Sequence, residues 1–161
     1  MKTFFGKYRG KVEDNVDPKQ MGRVRVSVPA VLGDSTDNWA MPCAPYAGSG
    51  IGFFAIPPKG ANIWVEFEGG DPDRPVWVGC FWDEKDTPAD SGRPGMKVLK
   101  TDKAKIVIND EPGASSITIE TGGAKVVIDS SSGIEITDGK GGSIKISQSQ
   151  VSVNNGALEV M

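Results

Sequence analysis

The stretch Ile117-Thr118-Ile119-Glu120-Thr121-Gly122-Gly123-Ala124-Lys125-Val126-Val127-Ile128 carries the pattern that decides the fold. Two apolar side chains flank one residue, turn formers follow, and the same unit returns. The unit recurs as Ile106/Ile108, Ile117/Ile119, Val126/Ile128, Ile134/Ile136, Ile144/Ile146, Val151/Val153 and Leu158/Val160. Turn formers separate the units, among them Asn109-Asp110-Glu111-Pro112-Gly113, Ser130-Ser131-Ser132-Gly133 and Asp138-Gly139-Lys140-Gly141-Gly142. The steps shorten from about eleven residues to about seven, too short for a helical repeat and right for stacked strands. Apart from Leu158 every apolar position is Val or Ile, whose branched Cβ suits a pleated surface and resists a helix. Each strand therefore sends its apolar pair to one face and polar residues such as Lys105, Thr118, Glu135, Lys145 and Ser152 to the other.

A lone sheet of this kind exposes its Ile/Val face and its edges. Three arrangements bury that face. A single-chain solenoid of about three strands per coil gives barely two and a half coils, short for a stable array. An up-and-down sandwich is the second. The third winds three identical chains about one axis, with Ile106, Ile108, Ile117, Ile119, Val126, Ile128, Ile134, Ile136, Ile144, Ile146, Val151 and Val153 meeting at its centre. Three-fold closure removes lateral edges, and a narrow axial core has room for Val and Ile but not for Trp. At ~4.8 Å per strand, seven units make a rod of about 30–35 Å. Leu158, Val160 and Met161 then form a blunt, partly apolar end.

All twelve aromatic residues lie between Phe4 and Trp82. The chain accordingly divides into a domain over 1–82 with an N-terminal arm, a polar linker over 83–97 with two prolines and two glycines, and the strand repeat over 98–161. In the first half, Val24/Val26/Val28, Ile63/Val65/Phe67 and Val76/Val78 alternate with polar neighbours and read as half-buried strands. No stretch keeps a helical period for three turns. About five short strands with an aromatic core predict a small closed barrel, of which the five-stranded OB-fold is the commonest. The predicted architecture is all-β: an OB-fold barrel followed by an intertwined homotrimeric β-helix needle.

Composition excludes much chemistry. The chain has 161 residues, no histidine, and a net charge of −3 from 18 basic and 21 acidic residues. Without imidazole there is no Ser-His or Cys-His dyad and no histidine-ligated metal, and without a basic surplus nucleic acid is a poor partner. Apolar runs fall far below the roughly 20 residues of a membrane span, and Met1 to Gly6 lacks a signal-peptide core, so assembly in the cytoplasm is expected. Cys43 and Cys80, in apolar settings, are expected to be buried reduced thiols. No catalytic residue, cofactor or metal site is expected.

Several motifs have a structural reading. Gly69-Gly70-Asp71-Pro72-Asp73-Arg74-Pro75 reads as a hairpin connection, with any Arg74–Asp pair structural. Gly48-Ser49-Gly50-Ile51-Gly52 lacks a dinucleotide fingerprint, and Gly139-Lys140-Gly141 lacks the Ser or Thr of a phosphate loop. Phe53, Phe54, Trp64, Trp77, Phe81 and Trp82 are expected in core and subunit contacts. The competing reading makes them a stacking platform of an OB-type carbohydrate- or nucleic-acid-binding module, with the strand repeat as spacer.

The first half also resembles a known family. The residues are Gly10-Lys11-Val12-Glu13-Asp14-Asn15-Val16-Asp17-Pro18, Met21-Gly22-Arg23-Val24-Arg25-Val26, Pro57-Pro58-Lys59-Gly60, and Val65-Glu66-Phe67-Glu68-Gly69-Gly70-Asp71-Pro72-Asp73-Arg74-Pro75 with Val78-Gly79. In order over about residues 6–82, they are similar to the OB-fold of the phage baseplate assembly protein V family, the central spikes of contractile phage tails and related injection systems. The resemblance implies a homotrimer seated below a tail hub, a needle that pierces the target envelope when the sheath contracts, and transient contact with that membrane. It also implies interchain backbone hydrogen bonds around a dry core. Phe4, Phe5 and Tyr8 are candidates for hub contact. The family's histidine-bound iron tip is impossible in a chain without histidine, so Leu158, Val160 and Met161 are expected to meet a small capping protein of the Pro-Ala-Ala-Arg repeat kind. Residence in the baseplate of a virion or phage-tail-like particle follows.

Overall fold

The computed structural model describes residues 2–160. It contains two compact units, Met1–Lys85 and Asp86–Met161.

The first unit is a closed barrel of β1 (Tyr8–Asp14), β2 (Val24–Ser27), β3 (Asn38–Pro42), β6 (Asn62–Phe67) and β7 (Pro75–Cys80), in the order β1-β2-β3-β7-β6 and back to β1. β3 and β7 pair in parallel and the other barrel neighbours are antiparallel. This is the five-stranded OB arrangement. A single helical turn, α1 (Pro29–Leu32), follows β2, and the small hairpin of β4 (Ala47–Gly48) and β5 (Ile51–Gly52) stands between β3 and β6.

Val12, Val24, Val26, Val28, Ala40, Ile63, Val65, Phe67 and Trp77 fill the barrel. Two of the three predicted alternations point inward as read. The third is inverted: Pro75 and Trp77 are buried, while Val76 and Val78 are only half-buried. The register of β6 and β7 slips at Trp64/Val65, and the indole turns inward, donating from Nε1 to the Gly22 carbonyl at 3.2 Å. A buried Trp needs such an acceptor, and Gly22 supplies it.

The second unit is one eight-stranded antiparallel meander: β8 (Met96–Lys100), β9 (Ala104–Asn109), β10 (Ser116–Thr121), β11 (Ala124–Asp129), β12 (Gly133–Thr137), β13 (Ser143–Ser147), β14 (Gln150–Val153) and β15 (Leu158–Val160). Every strand pairs with its neighbour in sequence, so the backbone ladders run within one chain. Among the described residues the ladders of this sheet are intrachain, where the resemblance implied interchain ones. The single chain neither coils as a solenoid nor doubles back as a sandwich.

Turn chemistry sets the register. Gly122 and Gly123 both adopt positive φ (56° and 91°) in the two-residue loop joining β10 to β11, as the tight hairpin turn requires. Asp129 accepts hydrogen bonds from the hydroxyls and backbone N–H groups of Ser131 and Ser132. Led by the Ser131 hydroxyl bond, these hold its carboxyl well below the usual carboxylate range. Asp138 does the same for the next wide turn, accepting from Lys140 and Gly142 N–H.

The polar stretch before β8 is tied to the sheet. Asp90 accepts from Lys105 at 3.0 Å, Lys105 also lies 3.7 Å from Glu120, and the Gly95 carbonyl accepts from Asp110 N–H at 2.9 Å. Val107, on the same face as Lys105, is buried. β8 begins at Met96, inside the stretch read as linker.

Candidate oligomerisation interface

Directly opposed residues of an antiparallel pair share a face, and the register turns the repeat into two unbroken columns. One runs Leu99, Ile106, Ile119, Val126, Ile136, Ile144, Val153, Leu158. The other runs Lys97, Ile108, Ile117, Ile128, Ile134, Ile146, Val151, Val160. All twelve residues read as trimer core thus lie on one face. Among the described residues of this unit nothing covers it: Ile106, Ile108, Ile117, Ile119, Ile128, Ile136, Ile144 and Ile146 are each about two-fifths exposed. A contiguous apolar surface of this extent marks an interface.

The opposite face carries Thr118, Glu135, Lys145 and Ser152 in one file, as read, with Val127 between Thr118 and Glu135 and Val107 and Val98 continuing it towards β8. Leu99 and Lys97 lengthen the apolar columns by one strand that the repeat did not show. Lys97 bonds Asp110 at 2.5 Å, so the one charge in the columns is compensated at their first strand. At the other end Leu158 and Val160, 60% and 58% exposed, sit on β15, which is an edge strand of the sheet among the described residues. Met161 lies outside the described residues.

In the barrel unit, Phe4, Tyr8 and Phe67 form an aromatic cluster with ring centroids 5.6–6.2 Å apart, and Phe4 N–H bonds the Gly70 carbonyl at 2.9 Å. Phe5 is 72% exposed. Of the three hub candidates, then, two are half-buried against the core and Phe5 faces outward. Trp64 and Phe81 stack on each other and on the Arg9 guanidinium outside the barrel, which occupies ring faces that a stacking platform would leave open. Phe53, Phe54 and Trp82 are exposed.

Two expectations about these motifs are corrected. Cys43 and Cys80 are exposed rather than buried, because they stand at the ends of β3 and β7 where the barrel ladders finish. Arg74 pairs with Glu68 at 3.0 Å rather than with an Asp; the Asp71 carboxylate instead accepts from Asp73 N–H at 3.0 Å inside the turn. Gly48 to Gly52 form a β-hairpin. Among the described residues no cluster of His, Cys, Asp and Glu could hold a metal, and no helix is long and apolar enough to cross a membrane.

The Arg23 of Gly22-Arg23-Val24-Arg25-Val26 has a role that spacing did not reveal. Asp17 accepts from its Nη2 at 2.6 Å and Nε at 3.1 Å, and from the N–H groups of Lys19, Met21 and Arg23. The Arg23 hydrogen bond, with the backbone donors adding to it, holds the Asp17 carboxyl well below the usual range. The guanidinium also stacks on Trp39. These bonds close the loop between β1 and β2.

Comparison with known proteins assigns both units. Residues 8–82 match the type VI secretion system/phage-baseplate injector OB domain, and residues 96–159 match the phage baseplate V C-terminal trimerisation domain. The chain belongs to the phage baseplate V spike family. Its structural role is that of a spike component of a phage or secretion particle, and the apolar face lies within the trimerisation domain. Similar proteins include the actin cross-linking toxin VgrG1 of Vibrio cholerae, 35% identical over 71 residues, and the type VI secretion system spike protein VgrG4b of Pseudomonas aeruginosa, 37% identical over 49. These alignments cover 42% and 30% of this chain, and 6% of each relative.

Proposed function

We propose that three copies of this spike protein close their apolar faces about one axis to form a needle that is driven through the target envelope when a contractile sheath shortens. The observation that carries the reading is the pair of columns, apolar without a break from β9 to β15, exposed in one chain and confined to one face. Intrachain ladders make each sheet stiff along the strand-stacking direction, and a dry core between three sheets fails only by exposing many Ile and Val side chains together. A passive mechanical part of this kind needs no catalytic residue, cofactor or metal.

The N-terminal barrel seats the needle below a tail hub, with Phe5 as the outward contact and Phe4 and Tyr8 fixing the arm that carries it. Leu158 and Val160, on the edge strand β15, together with Met161, are the proposed surface for a small capping protein; an exposed apolar strand edge needs cover. Assembly is in the cytoplasm and the finished needle resides in the baseplate of the particle. Imaging of purified native particles tests this. A three-fold density for the meander at the baseplate tip, with a separate cap beyond β15, is the expected result; a spike in which this sheet stands as a single copy refutes it.

A further inference from the structure

From Asn38 to Pro58 the chain carries no charged residue, between Asp37 and Lys59, although 24% of the whole chain is charged. After β3 this segment leaves the barrel, turns through the β4–β5 hairpin and returns at β6. It is ordered by its own bonds: Phe53 N–H bonds the Tyr46 carbonyl at 2.9 Å. The Phe54 ring lies close over Gly22, where an added Cβ would come within 3.1 Å of it. Yet Tyr46, Ile51, Phe53 and Phe54 are all more than half exposed, with Phe54 at 73%. Between this arm and the barrel lies a groove of about 880 Å³ lined by Met21, Pro42, Tyr46, Ile51, Phe53 and Phe54. The surface is thus aromatic, Met-containing, free of charge and held in shape, the composition of a permanent interface core.

We infer that the arm of one chain docks into the groove of the next chain in the same trimer. The inference rests on the three-chain reading of the C-terminal unit. A projecting apolar arm and an apolar groove on the same chain are the two halves of a heterologous contact, and such a contact closes without free ends under rotational symmetry. The occupant is a second copy because that copy is always within reach. Only residues 81–95 separate the last barrel strand from β8, a span of at most about 50 Å when fully extended. Trimerised sheets therefore hold three barrels at an effective concentration on the order of millimolar.

Hydroxyl-radical footprinting of the full-length protein, read by mass spectrometry alongside its mass by light scattering, tests the contact. In the wild-type trimer, Tyr46, Phe53 and Phe54 are expected to be modified at least fivefold more slowly than the exposed Trp82, after correction for intrinsic reactivity. In Phe54→Asp the mass stays trimeric, because the sheets hold the chains together, while modification of Tyr46, Phe53 and Met21 rises severalfold. A trimeric mass with Phe53 and Phe54 modified as freely as Trp82 in the wild type overturns the inter-barrel contact alone. A single-chain mass overturns the three-chain reading and the contact with it.

Discussion

Truncating one side chain in the middle of the apolar face separates assembly from folding. Ile128 is 46% exposed in the single chain, so nearly half of its burial is left for partners to complete. Full burial of an Ile is worth about 1.5–3 kcal/mol, so completing it contributes about 0.7–1.4 kcal/mol per chain and about 2–4 kcal/mol per trimer. A change of about 1.4 kcal/mol is tenfold in an equilibrium constant. For three-chain association the half-assembly concentration follows the square root of that constant, so Ile128→Ala is expected to raise it about 5- to 30-fold. Sedimentation velocity over a dilution series, in a fixed urea concentration where the wild type is half assembled, reads this shift. Lys145→Ala, in the polar file on the opposite face, is the control and is expected to leave the midpoint unchanged. If both variants behave alike, or if Ile128→Ala lowers stability by an amount independent of protein concentration, the assignment of this face to the partner chains is refuted.

Three further outcomes follow from individual contacts. Trp77→Phe leaves the Gly22 carbonyl without its donor inside the barrel, at a cost of about 1–3 kcal/mol, readable as a fall in the urea midpoint of the barrel transition at unchanged trimer mass. Asp17, Asp90, Asp129 and Asp138 all have carboxyls held below their ordinary value of 3.8, so the stability they contribute is full above that value and is lost as pH falls through the lower folded values; an acid titration by circular dichroism is expected to show the loss setting in below about pH 4–5, later in Asp17→Asn, which has no such proton to take up. Lys105→Met removes the partner of Asp90, and hydrogen exchange at Ser91 and Asp110 is expected to quicken while β10 to β12 stay protected.

The repeat made the sheet legible because register is determined by period: once Ile and Val alternate between turn-forming loops, a slip by one residue would reverse every face. It did not show β8, where Val98 and Leu99 are adjacent and Lys97 and Lys100 interrupt the apolar spacing. Nor did it show which chain supplies the ladder bonds, since alternation is the same whether a strand pairs with its own neighbour or with another chain. In the barrel, Val24, Val26 and Val28 pointed inward as read, but β7 turned over because one large indole with a polar N–H outweighs two valines flanking it. The Asp17–Arg23 pair was invisible because a loop carboxylate gathering three backbone N–H groups and a guanidinium is defined by where the chain folds back, not by spacing. Polar composition marked residues 83–97 as linker, yet Asp90 and Gly95 found partners in the sheet.

The central claim, that the Ile/Val face is covered by sister copies, is tested most directly by the mass of the full-length protein in dilute solution. Multi-angle light scattering at micromolar concentration is expected to give about three times 17.1 kDa. A stable, well-dispersed particle of 17.1 kDa, with its apolar face open to an environment-sensitive dye, would contradict it.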